Sequence, residues 1–100
     1  MTKKPMLDRF KPILLEIIHK HVPNCKVYLF GSRARGTHKE GADIDLVLEA
    51  QHKVDFTTIL KIQRDIEETT IPVFVDVVDL DGTSDDFKNE VKRDGILWND

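Results

Sequence analysis

The sequence predicts an α+β fold: a two-layer domain with a small mixed β-sheet and helices packed on one face. Three observations point there. Residues 7–21 and 55–69 carry apolar side chains at three- and four-residue steps, the period of an amphipathic helix. Residues 26–30, 42–48 and 73–79 are short runs rich in Val, Ile, Leu and Phe, with the length and composition of strands. Glycine, proline and polar residues separate these runs, so that helix, strand, loop, strand, helix, strand and helix follow one another.

In the first helix Leu7, Phe10, Leu14, Ile17 and Ile18, followed by Val22, form the apolar face. Pro12 lies within its first turns, so the regular helix is expected to begin near Lys11, with the proline early enough for its missing N–H to cost little. His19 and His21 read as surface or boundary residues. Pro23-Asn24 ends the helix, and Lys26 to Phe30 makes the first strand. Cys25, at the strand's entrance, reads as a small buried hydrophobe.

That strand stops at Gly31-Ser32. A polar segment carrying Arg33, Arg35, Lys39 and two further glycines then leads to Ala42-Asp43-Ile44-Asp45-Leu46-Val47-Leu48. Strand side chains repeat every two residues, so Asp43 and Asp45 share a face with their Cα atoms about 6 to 7 Å apart. Each negative charge raises the other's pKa, and burial raises both, so the pair needs a cation or strong donors between its members. Hard oxygen ligands favour Mg²⁺ over zinc. Gly31 and Ser32 can open a short helix whose first N–H groups would meet an anion. Taken singly, Gly-Ser is an ordinary turn and Asp-x-Asp a weak signal. Together, with ten residues between Ser32 and Asp43, they describe a place for a nucleoside triphosphate.

After the polar link Gln51-His52-Lys53, a second long helix carries Phe56, Ile59, Leu60 and Ile66 at helical spacing with Ile62 beside them, and Asp55 is its expected N-cap. Ile71-Pro72 breaks the pattern. The run from Val73 to Asp79 is so apolar that it reads as a central strand covered on both faces. Asp76 stands in its middle, and an unpaired buried carboxylate would cost several kcal/mol. It is expected either to be a third metal-directed carboxylate at an exposed functional edge, or to be paired with a lysine or a turn. Asp81-Gly82 is a turn, Thr83 or Ser84 can cap a last helix with Phe87 and Val91 inward, and Gly95 stops it. Ile96-Leu97-Trp98 is a short apolar tail in which Trp98 is assigned to packing.

One hundred residues are expected to form a single domain, residues 1–100, without room for a second substrate domain. A 40% hydrophobic and 33% charged composition argues against disorder, and a net charge of −3 makes direct nucleic-acid binding unlikely outside a local basic loop. The single cysteine excludes an internal disulfide and fits a reducing compartment. No apolar run approaches the eighteen residues of a membrane helix, and MTKKPMLDRF lacks a signal core, so a cytoplasmic protein is expected.

The pattern Gly31-Ser32, ten residues, Asp43-Ile44-Asp45, then Asp76 on a later strand resembles the signature of the DNA polymerase β-like nucleotidyltransferase superfamily. GSRARGTHKEGADIDLVL is similar to its smallest members, the minimal nucleotidyltransferases (MNT), typically encoded beside a HEPN-domain protein. The resemblance covers nearly the whole chain. It implies that ATP donates AMP to a hydroxyl with pyrophosphate leaving, and that Asp43 and Asp45 hold two Mg²⁺ ions. It further implies that Asp76 completes one shell and helps deprotonate the acceptor. Gly31 would let the chain approach the phosphates, Ser32 would donate to the β or γ oxygens, and Arg33 or Arg35 would neutralise pyrophosphate. Ala42 departs from the family, which often has serine there; a hydroxyl is lost, not a metal ligand. A partner chain or a second copy is expected to complete the site, and the resemblance points to a HEPN-type toxin modified on a hydroxyl, a tyrosine in this reading. Two alternatives stand beside this antitoxin: an enzyme acting on a small molecule or an RNA end, and a non-catalytic binding module.

Overall fold

The protein is described here by a computed structural model covering residues 6–99. Its elements are α1 (Met6–His21), β1 (Lys26–Phe30), α2 (Ser32–Arg35), β2 (Ile44–Glu49), α3 (Phe56–Glu67), β3 (Val75–Asp79), α4 (Asp85–Asp94) and β4 (Ile96–Leu97), with a 3₁₀ turn at Leu80–Gly82. The sheet order is β3-β2-β1-β4. β1 runs antiparallel to β2 and β4, whereas β2 and β3 are parallel, so the sheet is mixed as expected.

One face of this sheet holds the main core. Leu14 and Ile18 of α1 and Ile62 and Ile66 of α3 pack on Val27, Leu29, Ile44, Leu46, Leu48, Val75 and Val77. Fully burying one such side chain contributes about 1.5–3 kcal/mol. His21 Nε2 and Asp65 Oδ2, 2.6 Å apart, join the two helices. Trp98 is buried in the same core, the packing role assigned to it from sequence.

α4 lies on the other face, where Val91 meets Tyr28, Val47 and Leu80. Tyr28 and Val47 make this face apolar too, which is why a helix covers part of it in addition to the pair on the first face. Ser84 caps α4 by accepting from the Phe87 N–H at 3.2 Å. Lys92 Nζ lies 2.6 and 2.7 Å from the two carboxylate oxygens of Glu49. The Tyr28 hydroxyl donates to the same Glu49 at 3.0 Å.

Three expectations need correction. α1 starts at Met6, not near Lys11, and Pro12 sits inside it on the exposed side, where the carbonyl one turn earlier can turn to water. Asp55 occupies the N-cap position of α3, but its side chain makes no capping bond. β3 is an edge strand, not a central one. Val75 and Val77 are buried under α3, while Phe74 and Asp76 are exposed. Gln63 of α3 completes the open edge, its Nε2 donating to the Val75 carbonyl and its Oε1 accepting from the Val77 N–H, both at 2.8 Å. One amide side chain thus supplies two hydrogen bonds that a neighbouring strand would make. Among the described residues no helix is long and apolar enough to cross a membrane.

Candidate active site

The strand ladder gathers the acidic residues. In the parallel pairing of β2 and β3, Asp45 stands opposite Asp76. In the antiparallel pairing of β1 and β2, Phe30 stands opposite Asp45. Directly paired residues project on the same side of a sheet. Asp45, Asp76 and Phe30 therefore share the face that carries α4, opposite the main core. Asp43 precedes β2 by one residue and is exposed; the Ile44 N–H, donating to the Phe74 carbonyl at 2.9 Å, fixes the chain between the two acids.

Asp45 is half-buried, and burial is the main cause that pushes its carboxyl above the usual carboxylate range; the charges of Asp76 and then Asp43 push it further. Asp45 thus feels both neighbouring carboxylates, and a cation placed beside it would relieve that repulsion.

Gly31 explains how Asp45 is seated. Its φ of 75° and ψ of −157° are disfavoured for side-chain-bearing residues. A Cβ at this position would collide with Oδ2 of Asp45. The glycine therefore makes room for a carboxylate as well as a turn. Ser32 follows as the first residue of α2, with the Ala34 and Arg35 N–H groups donating to the Gly31 carbonyl at 3.1 and 3.2 Å. Gly36, at φ 74°, ends the turn.

The two arginines separate. Arg33 donates from Nε and Nη2 to the Ala42 carbonyl at 3.0 and 2.8 Å, tying the start of the loop to its end. Arg35 is exposed and lies near Asp94 at the end of α4; the Arg93 hydrogen bond is the main cause that lowers the Asp94 carboxyl, and Arg35 adds to it.

On the α4 side, the Phe30 and Phe87 rings meet edge to face, with centroids 5.2 Å apart and planes at 70°. Sequence reasoning assigned Phe87 only to the inward face of its helix and did not single out Phe30 or Gln63. Gln63 left a signal: it falls four residues after Ile59 and three before Ile66, a polar side chain on a packing stripe.

Three carboxylates and a serine hydroxyl are the hard oxygen donors that Mg²⁺ takes. The chemistry of the donor set and the backbone register fit such an ion. Among the described residues no three His, Cys, Asp or Glu side chains form a closed ligand cluster as placed. The strand register makes neighbours of Asp45 and Asp76, and a metal shell there would require side-chain rotation. A hollow of about 450 Å³ lined by His19, Pro23, Asn24, Cys25, Lys26 and Asn99 lies at the opposite end of β1 and contains none of these acids.

Comparison with known proteins gives the family. The family described as Polymerase beta, Nucleotidyltransferase matches residues 14–98. A Haemophilus influenzae protein named "Probable protein adenylyltransferase MntA" is 31% identical over 81 residues, covering 81% of this chain and 71% of that protein. Among solved structures, a chain of a toxin-antitoxin crystal structure with AMP-PNP superposes with a TM-score of 0.76 at 23% identity, over 89% of this chain and 72% of that one. A chain from the complex of a tri-AMPylated Shewanella oneidensis HEPN toxin with an MNT antitoxin gives 0.72 at 20% identity, over 92% and 71%. The fold shared with both structures and the family match over most of the sequence lead to one conclusion: this chain belongs to the polymerase β nucleotidyltransferase family and is a nucleotidyltransferase.

Proposed function

We propose that the protein transfers AMP from ATP to a hydroxyl, a tyrosine in this reading, of a partner HEPN-type toxin, and so acts as its antitoxin. The observation that carries the reading is the pairing of Asp45 with Asp76 across β2 and β3, with Asp43 two residues away, beside a glycine whose missing side chain leaves space for Asp45. The relative's name is that of a protein adenylyltransferase, and one structural neighbour comes from a complex of an MNT antitoxin with a tri-AMPylated HEPN toxin. These support protein as acceptor and AMP as the transferred group.

In this mechanism Gly31 and Ser32 receive the triphosphate, with the Ser32 hydroxyl donating to a β or γ oxygen. Arg35 neutralises the departing pyrophosphate; Arg33, committed to the Ala42 carbonyl, holds the loop that carries both. The acceptor oxygen attacks the α-phosphorus in line. A new O–P bond forms, the bond to the β-phosphate oxygen breaks, pyrophosphate leaves, and Asp76 takes the acceptor's proton. Mg²⁺ held by Asp43, Asp45 and Asp76 would supply charge neutralisation at the phosphates and a more acidic acceptor hydroxyl.

The test is incubation of the protein with a HEPN-type partner protein, Mg²⁺, and ATP labelled at either the α- or the γ-phosphate. The expected result is α label on the partner, no γ label, and no transfer by Asp45→Asn. An unlabelled partner in the presence of the wild-type protein would overturn the assignment.

A further inference from the structure

α4 lies across the sheet, and its two flanks face different ends of the strands. Phe87 meets Phe30 at the carboxylate end, whereas Lys92 reaches Tyr28 and Glu49 towards the other. Asp94, seven residues after Phe87 and so on the same flank, lies near Arg35 of the glycine-serine loop. The Phe87 flank therefore walls the acidic cluster, and the ring pair is the apolar part of that wall. Phe30 stands one strand spacing, about 5 Å, from Asp45. The Phe87 ring centroid is 5.2 Å from that of Phe30. Both rings are only partly buried, although Tyr28, Val47, Leu80 and Val91 beside them are buried. A nucleoside whose α-phosphorus sits over Asp45 has the reach to set its base against this pair.

We propose that Phe30 and Phe87 seat the base of the nucleotide and select it by stacking area. The inference rests on the proposed use of a nucleoside triphosphate at the same carboxylates, and adds a specificity determinant to it. A phenyl face reads ring size rather than hydrogen-bonding pattern, so the larger purine is favoured over a pyrimidine, with little separation of adenine from guanine. Losing an aromatic stacking partner costs about tenfold in affinity, and the larger purine keeps only part of that over a pyrimidine, about threefold.

The experiment is calorimetric titration of the full chain with Mg²⁺ and, separately, ATP, GTP, CTP, UTP and inorganic tripolyphosphate. The wild-type protein is expected to bind the two purine nucleotides about threefold more tightly than the two pyrimidine nucleotides. Phe87→Leu keeps an apolar contact with Phe30 and is expected to bring the ratio close to one with tripolyphosphate affinity unchanged. Phe87→Trp, which enlarges the stacking face, is expected to widen the ratio and serves if the leucine variant does not fold. Equal binding of all four nucleotides by the wild-type protein overturns the base seat while leaving the proposed chemistry intact. Binding of neither tripolyphosphate nor any nucleotide overturns both.

Discussion

Asp45→Asn sets the stability of the fold against its chemistry. Asparagine has nearly the shape of aspartate, so the packing against Gly31 is kept and the charge is what changes. The Asp45 carboxyl is held above its ordinary value of 3.8, first by burial, then by Asp76 and by Asp43. A carboxyl whose pKa is higher in the folded than in the unfolded state destabilises the fold when ionised. The penalty is absent below 3.8, grows as pH rises towards the folded value, and is complete above it. Like charges at neighbouring strand positions in a partly solvated site cost a few tenths of a kcal/mol to about 1 kcal/mol. The variant should therefore be more stable at neutral pH by about 1 kcal/mol, which for a domain of this size raises Tm by about 4 °C or more. The gain should vanish in acid, where the wild-type carboxyl is also neutral. Circular dichroism melts of both proteins in chelator, from about pH 3.5 to 7.5, measure this, and transfer activity should be lost throughout. A variant that melts below wild type at neutral pH would refute the reasoning, because the carboxylate would then be held by a structural partner.

Gly31→Ala should abolish nucleotide binding and cost at least about 1–2 kcal/mol, since a Cβ meets Asp45 Oδ2 and the positive φ is strained; denaturant titration and calorimetry read both effects. Gln63→Ala leaves the Val75 carbonyl and the Val77 N–H without their partners and should cost about 1–3 kcal/mol, with faster amide exchange in β3 and concentration-dependent association in ultracentrifugation. Lys92→Met removes the main cause that lowers the Glu49 pKa. Carboxyl NMR should show that pKa return towards 4.5, and because a lowered pKa stabilises the fold above the unfolded value, the variant should lose about 0.5 kcal/mol at neutral pH and little in acid.

What could be read from sequence was what is local. β1 is bounded as the sequence reads because Pro23-Asn24 and Gly31 punctuate it, whereas β2 begins at Ile44, so that alternation within the strand reaches Asp45 and leaves Asp43 just outside it. The pairing of Asp45 with Asp76 is a matter of which strands become neighbours, which composition does not encode. The apolar run at 73–79 looked central because Val, Phe and Val are equally at home under a helix at an edge. Pro12 reads as a boundary because proline removes a helical hydrogen bond, but that loss is small where the freed carbonyl can meet water, and here the residue faces solvent. Arg33 and Arg35 could not be told apart until the loop closed and gave one of them the Ala42 carbonyl. The aromatic contact between Phe30 and Phe87 joins residues 57 positions apart, beyond the range of any periodicity.

Alternation gives the Gln63 grip a meaning beyond edge protection. If β3 slipped by one residue along β2, its side chains would exchange sides, driving Asp76 down into the aliphatic layer beneath α3 and lifting a valine into the place of the acid. A strand at the border of a sheet has only one ladder to hold it in phase. The glutamine adds a second anchor from the outside, at the residues on either side of Asp76. The alignment of the reactive groups is thus indexed by a side chain rooted on the far side of the sheet.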